Sequence, residues 1–262
     1  MQRYFIELAY DGSRYHGWQI QPNGITIQAV LQDCLSLLLR TNIEVVGAGR
    51  TDAGVHASKM IAHFDFEPIV RGCFDVDSCV QLCYKLNRIL PCDISVQSIF
   101  PVESYLHARF SAVKRTYHYF LHTRKTPFHR YYSWETHYTL DFQMMNKAAA
   151  YLKEVDDFAS FCKMGSDVKT TICHVTEAHW IDDGQGLWHF EISADRFLRN
   201  MVRAVVGTLI EVGRGRLSVR DFQEVVAMRQ RAAAGESVPA HALFLVDVEY
   251  PHPSSTISHM HP

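Results

Sequence analysis

From Tyr4 to Tyr10 apolar and polar positions follow a strand-like alternation, which predicts an opening β-strand closed by the turn residues Asp11-Gly12-Ser13. The period then lengthens. Ile27, Val30, Leu31, Leu35 and Leu38 fall at helical spacing behind Thr26, a residue type suited to cap a helix N-terminus. β-like runs at Ile43–Val46 and up to Phe66 flank a glycine-rich loop at Gly47–Ala57. A second helix is predicted over about Asp77 to Arg88, stopped by Pro91, and Ile94–Ile99 alternates as a strand. The theme then repeats, with a strand at Arg115–Phe120 rich in aromatic and β-branched residues. Asp141 caps a helix with Phe142, Met145, Ala149 and Leu152 on its apolar face. Strands near Thr171–Ile181 and Leu187–Ala194 are joined by the hairpin signal Asp182-Asp183-Gly184-Gln185-Gly186. A long helix is expected from about Phe197 to Val212 with Gly213 as its C′ residue, another after Ser218, and a closing strand at Leu243–Tyr250.

Strands and helices segregate without strict βαβ alternation, so the expected class is α+β with antiparallel sheets. Two αβ halves, residues 1–104 and 105–250, precede a Pro-, Ser- and His-rich tail at 251–262 that is expected to be disordered. A chain of 262 residues with 47% apolar and 21% charged residues has the composition of an ordinary soluble globular protein. No apolar run is long enough to span a membrane, and Met1-Gln2-Arg3-Tyr4-Phe5-Ile6 enters strand alternation without a signal-peptide layout. The seven cysteines are odd in number and contain no C-x-x-C, which favours reduced core residues of a cytoplasmic protein.

The loop Gly47-Ala48-Gly49-Arg50-Thr51-Asp52-Ala53-Gly54-Val55-His56-Ala57 holds a carboxylate at a strand exit beside an arginine, a setting that suits a nucleophile or a ligand clamp. On residue types alone, Asp52 closing an Asx-type turn is the simpler reading. A dinucleotide-binding fingerprint is excluded, because the third glycine falls at Gly54 and no amphipathic helix follows. Net charge is −2, which argues against a generally sticky nucleic-acid binder, yet no acidic residue lies between Glu103 and Glu135. That stretch carries Arg109, Lys114, Arg115, Arg124, Lys125 and Arg130 among four histidines, and reads equally as a phosphate-binding patch or a solvated basic face. Fifteen histidines raise the question of a metal. His118 and His122 would suit a helix, but on a strand they stand about 13 Å apart. Cys173-His174 and His179 lack a second pair at zinc spacing, so no metal is expected.

The Gly47–Ala57 loop resembles the G-R-T-D-A-G-V-H-A catalytic loop of the TruA family of tRNA pseudouridine synthases. Tyr10-Asp11-Gly12 with Gly17-Trp18-Gln19 is similar to that family's Y-D-G…G-W-Q, and Asn87 with Leu90-Pro91-x-Asp93-Ile94 to its N-x-x-L-P-x-D-I. Leu106-His107-Ala108-Arg109-Phe110, Arg115-x-Tyr117-x-Tyr119 and Phe197-x-Arg199-x-Met201-Val202-Arg203 continue the match in the same order. Two departures occur, Asp156-Asp157-Phe158 for H-D-F and His241-Ala242-Leu243 where a glycine usually precedes the leucine. The resemblance implies two ferredoxin/RRM-like halves with antiparallel sheets joined around a central catalytic cleft. It also implies a homodimer that acts on uridines 38–40 of the tRNA anticodon stem-loop.

By the same resemblance Asp52 is the catalytic carboxylate and Tyr117 lies over the uracil, with Leu243 on the other side. Burial disfavours a carboxylate anion and a guanidinium counters that, the role implied for Arg203. Arg196, Arg199 and Arg203, at i, i+3 and i+7, are expected on one helix face, with Arg199 beside the substrate; a surface salt-bridge face is the plain alternative. Arg50 and Arg109 are expected to meet RNA. Conversion of uridine to pseudouridine exchanges an N1–C1′ bond for C5–C1′ without redox change, so no nicotinamide, flavin or other cofactor is expected. The rivals are a pseudouridine synthase acting on other RNA uridines, a non-catalytic RRM-like RNA-binding protein, and a small-molecule enzyme using Asp52 as base.

Overall fold

The computed structural model describes residues 1–67, 75–165 and 168–251. One continuous sheet carries all nine strands of the described residues. β1 (Gln2–Tyr10) runs antiparallel to both β3 (His56–Phe66) and β4 (Ile94–Val102), and the two-residue β2 (Val46–Gly47) pairs with β3. β5 (Lys114–His122), β7 (Val175–Gly184), β8 (Leu187–Ala194) and β9 (Leu243–Glu249) form the other side, in the order β9-β5-β8-β7. A short β6 (Trp134–Glu135) lies parallel to the end of β5. The two sides meet where β3 and β9 run parallel at His56–Phe244 and Ala57–Leu245. The fold is thus α+β with a mostly antiparallel sheet.

Helix formation follows the capping signals. Thr26 accepts the Ala29 N–H at the start of α1 (Ile27–Leu39), Asp75 caps α2 (Val76–Ile89) and Asp141 caps α3 (Phe142–Ala150). Ser218 and Asp221 form a reciprocal capping box on α5 (Val219–Ala227). α2 packs on β4, α3 on β7, and α4 (Met201–Gly213) lies against α3 and α5. α4 is apolar on nearly every side because it is buried on nearly every side. No described helix is long and apolar enough to cross a membrane.

Several expectations change. The helix predicted from Phe197 begins only at Met201, because Asn200 adopts a left-handed backbone (φ 66°) and the Arg199 carbonyl is taken by the Lys163 N–H. Arg196, Arg199 and Arg203 therefore do not share a helix face. Gly213 is the last residue of α4, and the left-handed residue comes later, at Gly215 (φ 71°). Ile43–Val46 is not a full strand, since α1 side chains satisfy its backbone in place of a ladder. Ser36 accepts the Ile43 N–H, Gln32 accepts the Val45 N–H, and Gln28 donates to the Val45 carbonyl. The strand placed near Thr171 starts at Val175, and β6 had no signal in the alternation. Residues 252–262 of the expected tail lie outside the described residues.

Candidate active site

The Asp52 loop leaves β2, where the Ala48 N–H still donates to the Ile61 carbonyl, and re-enters the sheet at His56. Between these points the segment Tyr10–Trp18 grips it. The Trp18 N–H donates to the Thr51 carbonyl at 3.2 Å, and the Tyr10 and Thr51 hydroxyls are hydrogen-bonded at 2.9 Å. Gly17 has φ 86°, and a Cβ there would run into the Thr51 carbonyl; a Cβ on Gly12 would run into that of Val55. Only glycine permits these approaches. His56 completes the clamp. Its Nδ1 accepts the Gly12 N–H at 3.1 Å while its Nε2–H donates to the His241 carbonyl at 3.0 Å, just ahead of β9. Burial pushes the His56 pKa down, which keeps the ring neutral and able to accept on one side and donate on the other.

This scaffold leaves the Asp52 carboxylate unengaged by its own loop. The turn is closed by the Val55 N–H donating to the Asp52 backbone carbonyl, not by an Asx interaction of the side chain. Instead the half-buried carboxylate faces two guanidinium groups. Arg203 Nη1 lies 4.0 Å from Oδ2 and Arg199 Nε lies 3.9 Å from Oδ1, so these contacts are ionic and longer than hydrogen bonds. Arg203 is the better fixed, with its Nε donating to the Val238 carbonyl at 2.7 Å and 22% of its side chain exposed against 58% for Arg199. No such contact involves Arg196.

Tyr117, on β5, is buried, and its hydroxyl pKa is pushed well up, first by burial and then by the nearby Asp52 charge. Its ring meets Phe197 edge-on at 5.1 Å. Leu243, the first residue of β9, is buried and pairs with Tyr119, two residues along the same face of β5. Asp52, Arg199 and Arg203 thus converge, with the Tyr117 hydroxyl close enough to feel the carboxylate. Arg50 is exposed and donates to Gln19 at 3.2 Å, and exposed Arg109 stands over the Phe110 ring at 5.7 Å. A shallow hollow lined by Asp11, His56, Asp93, Tyr132 and Phe244 contains none of these residues.

The basic stretch is less available than its composition suggests. Arg115 donates to the carbonyls of Ala48, Arg109, Ala112 and Asp195, holding segments together. Lys114 pairs with Glu249 at 2.6 Å. Arg124, Lys125 and Arg130 are exposed. Sequence reasoning missed the clamp of Tyr10, Thr51 and His56. Its members stand inside the quoted motifs, but nothing in their order says that Tyr10 meets Thr51. Among the described residues one group could hold a metal ion, His118 with His189 and Glu191, and none of these contacts Asp52.

A family model described as tRNA pseudouridine synthase matches residues 148–251. The tRNA pseudouridine synthase A of Bacteroides fragilis is 56% identical over 253 residues, covering 96% of this chain and 97% of that one. That of Parabacteroides distasonis is 53% identical over 251 residues, with 96% and 97% covered. That of Bacillus subtilis is 37% identical over 247 residues, with 93% and 97% covered.

Proposed function

We propose that this chain, which belongs to the tRNA pseudouridine synthase A family and converts uridine in tRNA to pseudouridine, does so with Asp52 as its catalytic carboxylate. The observation that carries this assignment is the convergence of Arg199 and Arg203 on Asp52 beside the buried Tyr117. The two guanidinium groups facing the carboxylate orient it and leave its lone pairs for the substrate. The N1–C1′ bond breaks, the uracil turns, and C5 bonds to C1′. The C5 proton is then lost and N1 takes one up, so no electrons leave the substrate. Asp52 serves this sequence by attack at C1′ or C6 or by removing a ribose proton.

A stacked uridine must leave its neighbours before Asp52 can reach it, at a cost of a few kcal/mol. The Tyr117 ring takes the uracil face and returns part of that cost, with Leu243 packing from the other side. Arg50 and Arg109 hold RNA phosphate. We read residues 1–104 and 105–250 as two ferredoxin/RRM-like halves. Numbered within each half and leaving out β6, the strands run 4-1-3-2 on both sides, which supports a repeated βαββαβ plan with the cleft at the β3–β9 join. The substrate site is the anticodon stem-loop, at uridines 38–40, and the working form is a homodimer in the cytoplasm. These assignments follow from the family and the motif order.

The test is tRNA tritiated at uridine C5, incubated without added metal or nucleotide. Tritium release by the native chain and none by Asp52→Asn, with tRNA affinity kept within several-fold, supports the reading. A variant that keeps a tenth or more of the rate removes Asp52 from its role.

A further inference from the structure

Two faces of β5 carry different chemistry. Tyr117 and Tyr119 point toward the cleft, and His118 and Phe120 point to the opposite face of the sheet. There His118 stands directly across from Glu191 on β8, and Phe120 across from His189. His118 Nε2 and Glu191 Oε2 are 2.9 Å apart, and the His118 and His189 rings stack at 4.6 Å with 28° between planes. One ligand atom from each of the three residues lies within 4.8 Å of the other two.

We propose that His118, His189 and Glu191 bind one divalent transition-metal ion of the zinc, cobalt or nickel type, on the side of the sheet away from the cleft. Two imidazoles and one carboxylate suit these borderline ions rather than magnesium or calcium, which take oxygen donors. A tetrahedral ion with bonds of about 2.0–2.1 Å needs donors about 3.3 Å apart. The His118–Glu191 pair, now hydrogen-bonded at 2.9 Å, opens by a few tenths of an ångström to take the ion, and side-chain rotation brings in His189. Asp183 Oδ2 holds His189 Nδ1 at 2.7 Å. The ring then donates Nδ1–H to the carboxylate and offers Nε2 to the ion, the arrangement in which outer carboxylates orient metal-binding imidazoles. With the ring proton on Nδ1, the His118 Nε2 that lies 2.9 Å from Glu191 Oε2 offers its lone pair to the ion. Phe120 lies 5.7 Å from the His189 ring and 6.1 Å from the His118 ring, and walls one side from water. The three ligands come from paired strands, so the ion ties β5 to β8 and stiffens the strand that carries Tyr117. The site takes no part in the isomerisation.

The test uses the 262-residue chain with His252, His259 and His261 replaced by alanine, because those histidines are a second possible source of metal ligands. Cobalt(II) should bind at one equivalent with visible ligand-field absorption, be displaced by zinc(II), and raise the melting temperature. His189→Ala and Glu191→Gln should each weaken binding at least 100-fold, and Asp183→Asn by about 10–100-fold. Tritium release from tRNA should stay at the native level in all three, which shows that the variants are folded. Absence of one-equivalent binding overturns the proposal, as does binding that survives His189→Ala or disappears with the tail histidines alone.

Discussion

The Asp52 loop and the acid-free stretch after Glu103 engage their charged groups in opposite ways. The loop is short, and its backbone and small side chains are gripped by Tyr10, Gly12, Gly17, Trp18 and His56, while the one carboxylate is left out of that network. The basic stretch is long, and its network uses up the charges themselves: Arg115 closes on four carbonyls and Lys114 on Glu249. A charged residue reaches a substrate only when other groups do the holding. That rule separates Asp52 from Arg115, although both stand in equally marked motifs.

The largest effects are expected in the cleft. Arg203→Met removes the better-fixed cation facing Asp52 and should lower the single-turnover rate about 10²–10³-fold, the usual consequence of losing one preorganised electrostatic group. Arg199→Met should cost less, because that side chain is more exposed and screened. Equal losses would mean that the anchoring of Arg203 by Val238 has no catalytic consequence. Tyr117→Phe keeps the ring and should retain about 10–100-fold more activity than Tyr117→Leu, in line with a stacking contribution of about 1–3 kcal/mol. If both are equally inactive, the hydroxyl transfers a proton and stacking is not the main role.

Arg115→Met tests the other side of the comparison. Four carbonyls would lose their donor, and folding stability should fall by about 2–4 kcal/mol, read by urea unfolding. A stable variant with weakened tRNA binding would return Arg115 to the RNA-facing group.

Much of this was legible in the order of residues, and the exceptions have physical causes. Caps such as Thr26, Asp141 and Ser218 mark helix starts because the unpaired N–H groups there need a local acceptor. Asp52, Arg203 and Tyr117 could be picked out only through the family motifs, since periodicity says nothing about a contact between the β2–β3 loop, β5 and α4. The arginine stripe misled because helical spacing was extended through Asn200, whose left-handed backbone depends on tertiary packing. Arg199 and Arg203 nevertheless both face Asp52, because the turn ahead of α4 brings Arg199 around to that carboxylate. The metal argument compared histidines along one strand, and the neighbours of His118 that could share an ion lie across the ladder on β8.

The basic stretch is also moored by a neutral histidine. His63 accepts the Ala108 N–H through Nδ1 at 3.1 Å, and its pKa is lowered from 6.5 to about 4, first by burial and then by Arg3 and His107. The unfolded chain therefore takes up this proton before the folded one does. The contribution to stability is complete above about pH 6.5 and is lost as pH falls from there to about 4, amounting to up to about 3 kcal/mol. Comparing the pH dependence of unfolding for the native chain and His63→Gln isolates this slope. If the two curves are parallel between pH 6.5 and 4, another group carries the acid sensitivity.

The smallest effect separates exposed cations from engaged ones. Arg124 and Lys125 are exposed, so replacing both with alanine should remove up to two phosphate contacts. Each contact contributes roughly 0.7–0.9 to the log–log dependence of tRNA affinity on salt, and the double variant should flatten that slope by about 1.5. Lys114 starts from a 2.6 Å pair with Glu249, and Lys114→Ala alone should change the slope by much less than one contact. Affinity measured by filter binding at several salt concentrations gives both slopes directly. A loss for Lys114→Ala as large as one full contact would show that Glu249 releases the lysine when tRNA arrives. The basic stretch would then rearrange on binding, and its contrast with the fixed Asp52 loop would hold only for the free protein.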